Sequence, residues 1–112
     1  MDKLKIAEAL GSHPYGALWV KDVRLVSWGR DLAFECLYEP GAPSKPILFH
    51  LTLKDCREMR WRIYAHLDGQ AGMASIVNIS LGTGQHRKPA NILTDFFGLT
   101  VSYGELVIEK DT

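Results

Sequence analysis

The fold is decided by the stretch Cys56-Arg57-Glu58-Met59-Arg60-Trp61-Arg62-Ile63-Tyr64-Ala65-His66, in which apolar and polar side chains alternate. One side of the alternation carries Met59, Trp61, Ile63 and Ala65. The other side carries Glu58, Arg60, Arg62, Tyr64 and His66. Because successive side chains of a β-strand point to opposite faces, this rhythm predicts a long, half-buried strand with tryptophan inward and arginines outward.

Length and composition indicate one globular domain spanning residues 1–112. Hydrophobic residues make up 46% of the chain and charged residues 23%, which is typical of a folded protein and not of a disordered one. The formal net charge is zero. A protein that binds nucleic acid mainly through phosphates needs an excess of basic residues, so this class is disfavoured.

The sequence lacks two features that would direct a protein to or across a membrane. No apolar run is long enough to span a bilayer, and Met1–Ile6 lacks the apolar core of a signal peptide. We therefore expect a cytoplasmic protein without a membrane partner. In that reducing compartment Cys36 and Cys56 are expected to be free thiols, bridged only if their strands are neighbours and the cysteines face each other. Arg57 is placed to lower the pKa of the Cys56 thiol, although chance placement is the simpler interpretation.

A short helix is predicted over Asp2–Leu10, with Asp2 as its cap and Gly11 as its end. Its apolar side is expected to carry Leu4, Ala7 and Leu10. A helix of this length is marginal alone and must dock on the rest of the domain.

Ala17–Trp28 is predicted to be one strand, or two strands broken near Lys21-Asp22, and it forms a hairpin with the strand Leu32–Glu39 through a tight turn at residues 29–31. The apolar parity of the first strand switches near Lys21-Asp22, which predicts a bulge or bend there. The tryptophans are expected in the core, with Trp28 half exposed beside the turn.

The later part of the chain predicts strands at Ile47–Leu53 and Ser75–Leu81, and a final hairpin of Leu99–Tyr103 and Glu105–Lys110 about Gly104. Ala90–Phe97 fits both a helix face and strand alternation, and we predict a short helix there. The sum is an α+β, mostly β domain: one curved antiparallel sheet of about seven short strands with one or two short helices. An unpaired edge at Glu105–Lys110 would also favour self-association.

No catalytic or metal-binding motif is present. The histidines are scattered without HxH or HExxH spacing, and there is no GxSxG. The basic, glycine-rich loop Gly82–Lys88 could hold an anion if a helix begins at Ala90, although a plain surface loop is the simpler interpretation. We therefore expect a protein that is not an enzyme and that holds no metal or cofactor.

The candidate binding site is the polar side of the opening stretch together with a histidine from another strand. Its residues are Glu58, Arg60, Arg62, Tyr64, His66 and His50. The simplest interpretation is a solvated face with ion pairs of about 0.2–1 kcal/mol each. The functional interpretation is a face that binds a protein partner, because Arg and Tyr are favoured interface anchors.

Two alternatives stay open at this point. One is a small-molecule site, enzymatic or not, in a pocket inside the curved sheet. The other is a weak single-stranded nucleic-acid site, in which bases stack on Arg and Tyr, although zero net charge weighs against it.

Two segments carry a resemblance: Ser27-Trp28-Gly29-Arg30-Asp31-Leu32 and Leu51-Thr52-Leu53-Lys54-Asp55-Cys56-Arg57-Glu58. A strand, a tight turn, a strand and then a leucine-alternating strand entering an Arg/Glu segment resembles short uncharacterised bacterial β proteins, cyanobacterial ones among them. The order is also similar to some small immunity-type β proteins. The resemblance covers about half the chain and implies a β-rich fold, without a function or site residues.

Overall fold

The computed structural model describes residues 2–12, 16–41, 44–64, 72–83 and 87–111. Within them lie one α-helix, eight β-strands and a 3₁₀ turn at Ser27–Gly29. The helix is α1 (Lys3–Ala9), and the strands are β1 (Ala17–Val26), β2 (Asp31–Glu39), β3 (Ile47–Lys54), β4 (Arg57–Ile63), β5 (Ala74–Ser80), β6 (Lys88–Thr94), β7 (Phe97–Tyr103) and β8 (Glu105–Lys110). The predicted mostly β, antiparallel architecture is confirmed, with eight strands in place of about seven.

All eight strands belong to one antiparallel sheet in the order β4-β7-β6-β5-β1-β2-β3-β8. The two ends of this order are joined covalently, because β3 runs into β4 across Asp55 and Cys56, and β7 runs into β8 across Gly104. The N–H of Gly104 donates to the carbonyl of Lys54 at 2.9 Å, so the two links lie side by side. The sheet must therefore curl until its ends meet at this corner.

The predicted final hairpin about Gly104 is wrong. Strand β8 pairs with β3, while β7 pairs with β4 and β6. A single linking residue is shorter than the two-residue loop that a tight hairpin uses, so the chain passes through a bend into another part of the sheet. The prediction that Glu105–Lys110 forms an edge strand holds.

The first hairpin forms as predicted, and its bulge falls between Val20 and Asp22. Its tip departs from prediction, because β1 ends at Val26 and Trp28 sits in the turn with a φ of 64°. The Trp28 side chain is fully exposed and belongs to no part of the core.

The predicted helix at Ala90–Phe97 is also wrong, because Lys88–Thr94 is strand β6. Ala90, Ile92 and Thr94 are buried, and the residues between them are exposed, which is the period of a strand. The hydroxyl oxygen of Thr94 accepts hydrogen bonds from the N–H groups of Phe96 and Phe97, and this closes the turn into β7.

Helix α1 docks on the sheet through Ile6, Ala7 and Leu10, which are all buried. Two details of the prediction are wrong: Leu4 is 50% exposed, and the Asp2 side chain does not cap the helix. The Asp2 carboxylate instead accepts from the N–H of Leu81 just past β5, so it ties the helix to the sheet. Gly11 ends the helix as predicted, with a φ of 71°.

Cys36 and Cys56 are free, as the sequence predicts, and both are buried. Cys36 lies between Val20 and Phe49 in the sheet register, and burial raises the pKa of its thiol to about 12. Burial also raises the pKa of the Cys56 thiol, so the proposed lowering by Arg57 is wrong. The described part of the chain contains no helix long and apolar enough to cross a membrane.

Candidate interaction surface

Strand β4 places arginines on the outer face of the sheet. Its register with β7 pairs Arg60 with Thr100 and Arg62 with Gly98. Between them Trp61 turns inward and packs on Phe97, with ring centroids 5.3 Å apart. The predicted arrangement, tryptophan inward and arginines outward, is confirmed for this segment.

The start of β4 corrects the predicted face. The register shifts between Arg57 and Arg60, and Glu58 has a φ of 52°, so the strand carries a one-residue bulge. Arg57 pairs with Ser102 and Arg60 pairs with Thr100, and these two partners lie on the same face of β7. Because of the extra residue, Arg57 therefore lies on the same face of β4 as Arg60. Arg57, and not Glu58 as the alternation predicts, thus shares the outer face with Arg60 and Arg62.

The far end of β4 gives a second correction. Ile63 follows the inward parity, yet 62% of its surface is exposed. Met59 and Trp61 are only half buried, although both pack against the core. Strand β4 thus lies at the margin of the core and not across its centre.

Arg60, Arg62 and Tyr64 converge on one shallow groove of about 280 Å³ on the outer face of β4, β7 and β6. Asn91 of β6 and Thr100 of β7 line its other side, and the Thr100 hydroxyl donates to the Asn91 side-chain oxygen at 3.0 Å. Gly98 leaves room for the groove, because a Cβ there would lie 2.9 Å from the Tyr64 hydroxyl oxygen.

The groove is cationic. Among the described residues no carboxylate lines it, and neither Arg60 nor Arg62 has an acidic side chain within ion-pair distance. A guanidinium offers planar, paired N–H donors that match a carboxylate or phosphate. The groove, in which no described carboxylate pairs with either guanidinium group, is thus complementary to an anionic partner.

The other predicted site residues lie elsewhere. His50 is on β3, and its Nδ1 is 3.2 Å from the carboxylate of Asp111. Glu58 stands at the bulge and does not line the groove. His66 lies outside the described residues. The predicted set therefore divides, and the structure brings together only Arg60, Arg62 and Tyr64.

A second concave surface lies on the inner side of β4. It is an open, largely apolar cavity of about 450 Å³ between β4 and the part of β1 around its bulge. Its walls include Val23, Trp61, Ile63, Phe96 and Phe97. Strand β4 therefore has a cationic groove on one face and an apolar cavity on the other.

The anion site considered at the basic loop does not form in the described part of that loop, because β6 replaces the helix whose N-terminus it needed. Arg87 serves a structural contact instead. Its guanidinium donates to the Ser102 hydroxyl at 2.9 Å and to the Asp55 carboxylate at 3.1 Å, and it also bonds the Asp55 carbonyl. Arg87 thereby fastens the corner where β3 passes into β4.

Within the described residues, no three His, Cys, Asp or Glu side chains come together as a metal site. Comparison with protein-family models and with curated proteins gives no match for this chain. The fold and the two surfaces of β4 are thus the observations from which a function is proposed.

Proposed function

We propose that the protein is a non-enzymatic interaction module that binds a protein partner through the groove lined by Arg60, Arg62 and Tyr64. The observation that carries the proposal is the convergence of two arginines and a tyrosine on one concavity, where no carboxylate of the described residues lines the surface or pairs with the arginines. Arginine and tyrosine are enriched among the residues that dominate binding energy in interfaces.

The chemistry of the groove favours an acidic partner surface. Guanidinium groups are weakly hydrated compared with ammonium groups, so they enter an interface at a smaller desolvation penalty. A carboxylate that binds both N–H donors of one arginine gains geometric specificity as well as energy. Asn91 and Thr100 add neutral polar groups at the far side, suited to hydrogen bonds at the rim.

Affinity capture from a cell lysate tests the proposal. The wild-type chain is compared with an Arg60→Glu, Arg62→Glu double variant, and we expect the variant to lose a partner that the wild type retains. The matched control is Arg24→Glu with Lys45→Glu, which makes the same change of charge at two exposed positions outside the groove. Equal recovery of every partner by all three proteins would rule the proposal out.

A small-molecule ligand is the second candidate, and the apolar cavity is the observation that favours it. Its volume of about 450 Å³ is in the range of small-molecule sites, and aromatic and aliphatic side chains line it. Native mass spectrometry of the purified chain would show a bound apolar molecule as added mass, which Trp61→Ala should reduce. A spectrum of the bare chain alone, unchanged by added apolar compounds, would remove this candidate.

Single-stranded nucleic acid is the third candidate, since bases stack on Arg and Tyr. Titration of a labelled oligonucleotide at several salt concentrations tests it. Binding that weakens as salt rises would support it, and no binding at low salt would dismiss it.

A further inference from the structure

We infer that β4 takes up an extended segment of the protein partner as an added β-strand, and that this segment alternates acidic and apolar residues. The inference rests on the proposed function, because it names the partner chemistry for the same part of the molecule. Three properties of β4 carry it: its free edge, the different chemistry of its two faces and the open cavity beneath it.

The free edge follows from the pairing of the strands. Among the described strands, β4 pairs with β7 alone. The N–H of Tyr64 donates to the carbonyl of Phe96 at 2.9 Å, and antiparallel pairing alternates from residue to residue. The backbone N–H and C=O groups of Trp61 and Ile63 therefore point away from β7, to a side where no described strand pairs with them and a further strand could.

The two faces of β4 set the chemistry of that strand. Arg57, Arg60 and Arg62 share the outer face, while Trp61 and Ile63 border the apolar cavity on the inner face. Side chains of an added strand alternate between the same two faces, in step with those of β4. Outward residues thus meet arginines and favour Asp or Glu, while inward residues enter the cavity and favour aliphatic or aromatic side chains.

The far wall of the cavity explains why an added strand fits the site. That wall is β1 around its bulge, and β1 pairs with β5 only through Trp19 and Val20. Beyond Val20, the described strands leave this edge of β1 without a neighbour. As far as the described residues go, the cavity is therefore open between two strand edges, and side chains that enter along β4 need no displacement of the described core.

The experiment titrates short synthetic peptides, in which Glu alternates with Leu or Val, against the full chain. We expect the alternating peptide to slow hydrogen exchange at the amides of Trp61 and Ile63, as read by NMR. A peptide of the same composition with its glutamates grouped at one end should bind about tenfold more weakly or worse, and so should one with Lys in place of Glu.

Ile63→Pro is the sharpest variant, because it removes an N–H that points to the free edge and leaves the ladder to β7 and the groove residues in place. We expect it to weaken peptide binding about tenfold or more. Ile63→Ala is the matched comparison, since it shortens the same side chain at the cavity wall but keeps the N–H. It should bind the peptide more weakly than the wild type and more tightly than Ile63→Pro. If Ile63→Pro fails to fold, amide exchange in the wild type and the affinities of the peptide series still test whether the peptide adds as a strand.

The inference is overturned if the alternating peptide protects neither amide, or if Ile63→Pro binds it as the wild type does. Partner capture that is lost in the Arg60→Glu, Arg62→Glu variant but kept in Ile63→Pro would retain the proposed function and reject strand addition. Equal affinity for the grouped and alternating peptides would likewise reject strand addition. Net charge alone would then explain binding, whatever the order of the residues along the peptide.

Discussion

Strands β7 and β4 lie side by side in one sheet, but they bury their side chains very differently. In β7 every second residue is buried: Phe97, Leu99, Val101 and Tyr103. In β4 no residue is fully buried, and only Met59 and Trp61 are half covered. Strand β7 has a neighbour on both sides, whereas β4 is an edge strand, is bulged at its start and borders an open cavity.

This difference divides the sheet into a part that provides stability and a part that is available for binding. Truncating a buried side chain, such as those of β7, costs the transfer free energy of the removed atoms and leaves a cavity. A residue at an open edge loses little, so its identity is free to serve recognition. Substitutions that compare the two strands test this division.

The largest difference is expected between two apolar truncations. Leu99→Ala in β7 should lower the free energy of unfolding by about 2–5 kcal/mol, because Leu99 is 3% exposed. Ile63→Ala in β4 should change it by less than about 0.5 kcal/mol, since most of Ile63 already faces water. Urea unfolding followed by circular dichroism measures both, and similar losses would contradict the division.

The stability of the buried part of the sheet should also depend on pH, through the Cys36 thiol. Burial raises the pKa of this thiol from its ordinary 9.0 to about 12, so the folded state favours the neutral form. That contribution is fully present below pH 9 and is lost as the pH rises toward 12. Unfolding experiments across this range should show stability falling by up to about 1.4 kcal/mol per pH unit from this group.

The comparison for this test is Cys36→Ala, which is less stable throughout but should lose that part of the slope. A variant whose stability falls with pH as steeply as that of the wild type would show that other groups cause the decline.

The corner that connects β3 to β4 and β7 to β8 should depend on Arg87. Arg87→Met leaves the hydrogen-bonding groups of Asp55 and Ser102 without their donor, so we expect a loss of about 1–3 kcal/mol in the free energy of unfolding. Arg24→Met, at an exposed position of β1, is the control and should be nearly neutral. Equal effects of the two substitutions on the denaturation midpoint would contradict a fastening role.

The smallest effect is expected at the bulge. Glu58 has a φ of 52°, which is unfavourable for a residue with a Cβ by about 1–2 kcal/mol. Glu58→Gly should therefore leave stability unchanged or raise it slightly, after the larger entropy loss of glycine is included. Arg60→Gly, in the regular part of the same strand, should lower it by about 0.5–1 kcal/mol. Thermal melts should show a lower melting temperature for Arg60→Gly than for Glu58→Gly, and equal losses in the two variants would contradict a strained backbone at the bulge.

The alternation of Arg60, Trp61 and Arg62 could be predicted because it is a local property of the chain. The bulge beside it could not, because an extra residue is defined only against the register of β7. The same limit applies to β6, where a few residues satisfy both a helix period and a strand period. The neighbours β5 and β7 decide between them, and these come from distant parts of the sequence.

The residues of the candidate site show the same difference between local patterns and distant strand pairing. Arg60, Arg62 and Tyr64 belong to one alternating stretch, so the sequence could group them. Asn91 and Thr100 join them only through strand order, and no local pattern marks either residue. His50 would join them only if its strand paired with β4, whereas β3 continues into β4 end to end.

The pairing of β3 with β8 has a consequence for how the chain reaches this structure. Strand β3 is complete early in synthesis, but the strand that covers its second edge is made only after β4 to β7. Pairing them requires closure of a long loop, which slows folding in proteins rich in distant contacts. During that interval the nascent chain presents Phe49, Leu51 and Leu53 beside an uncovered backbone edge, a state in which chaperones would protect it from aggregation.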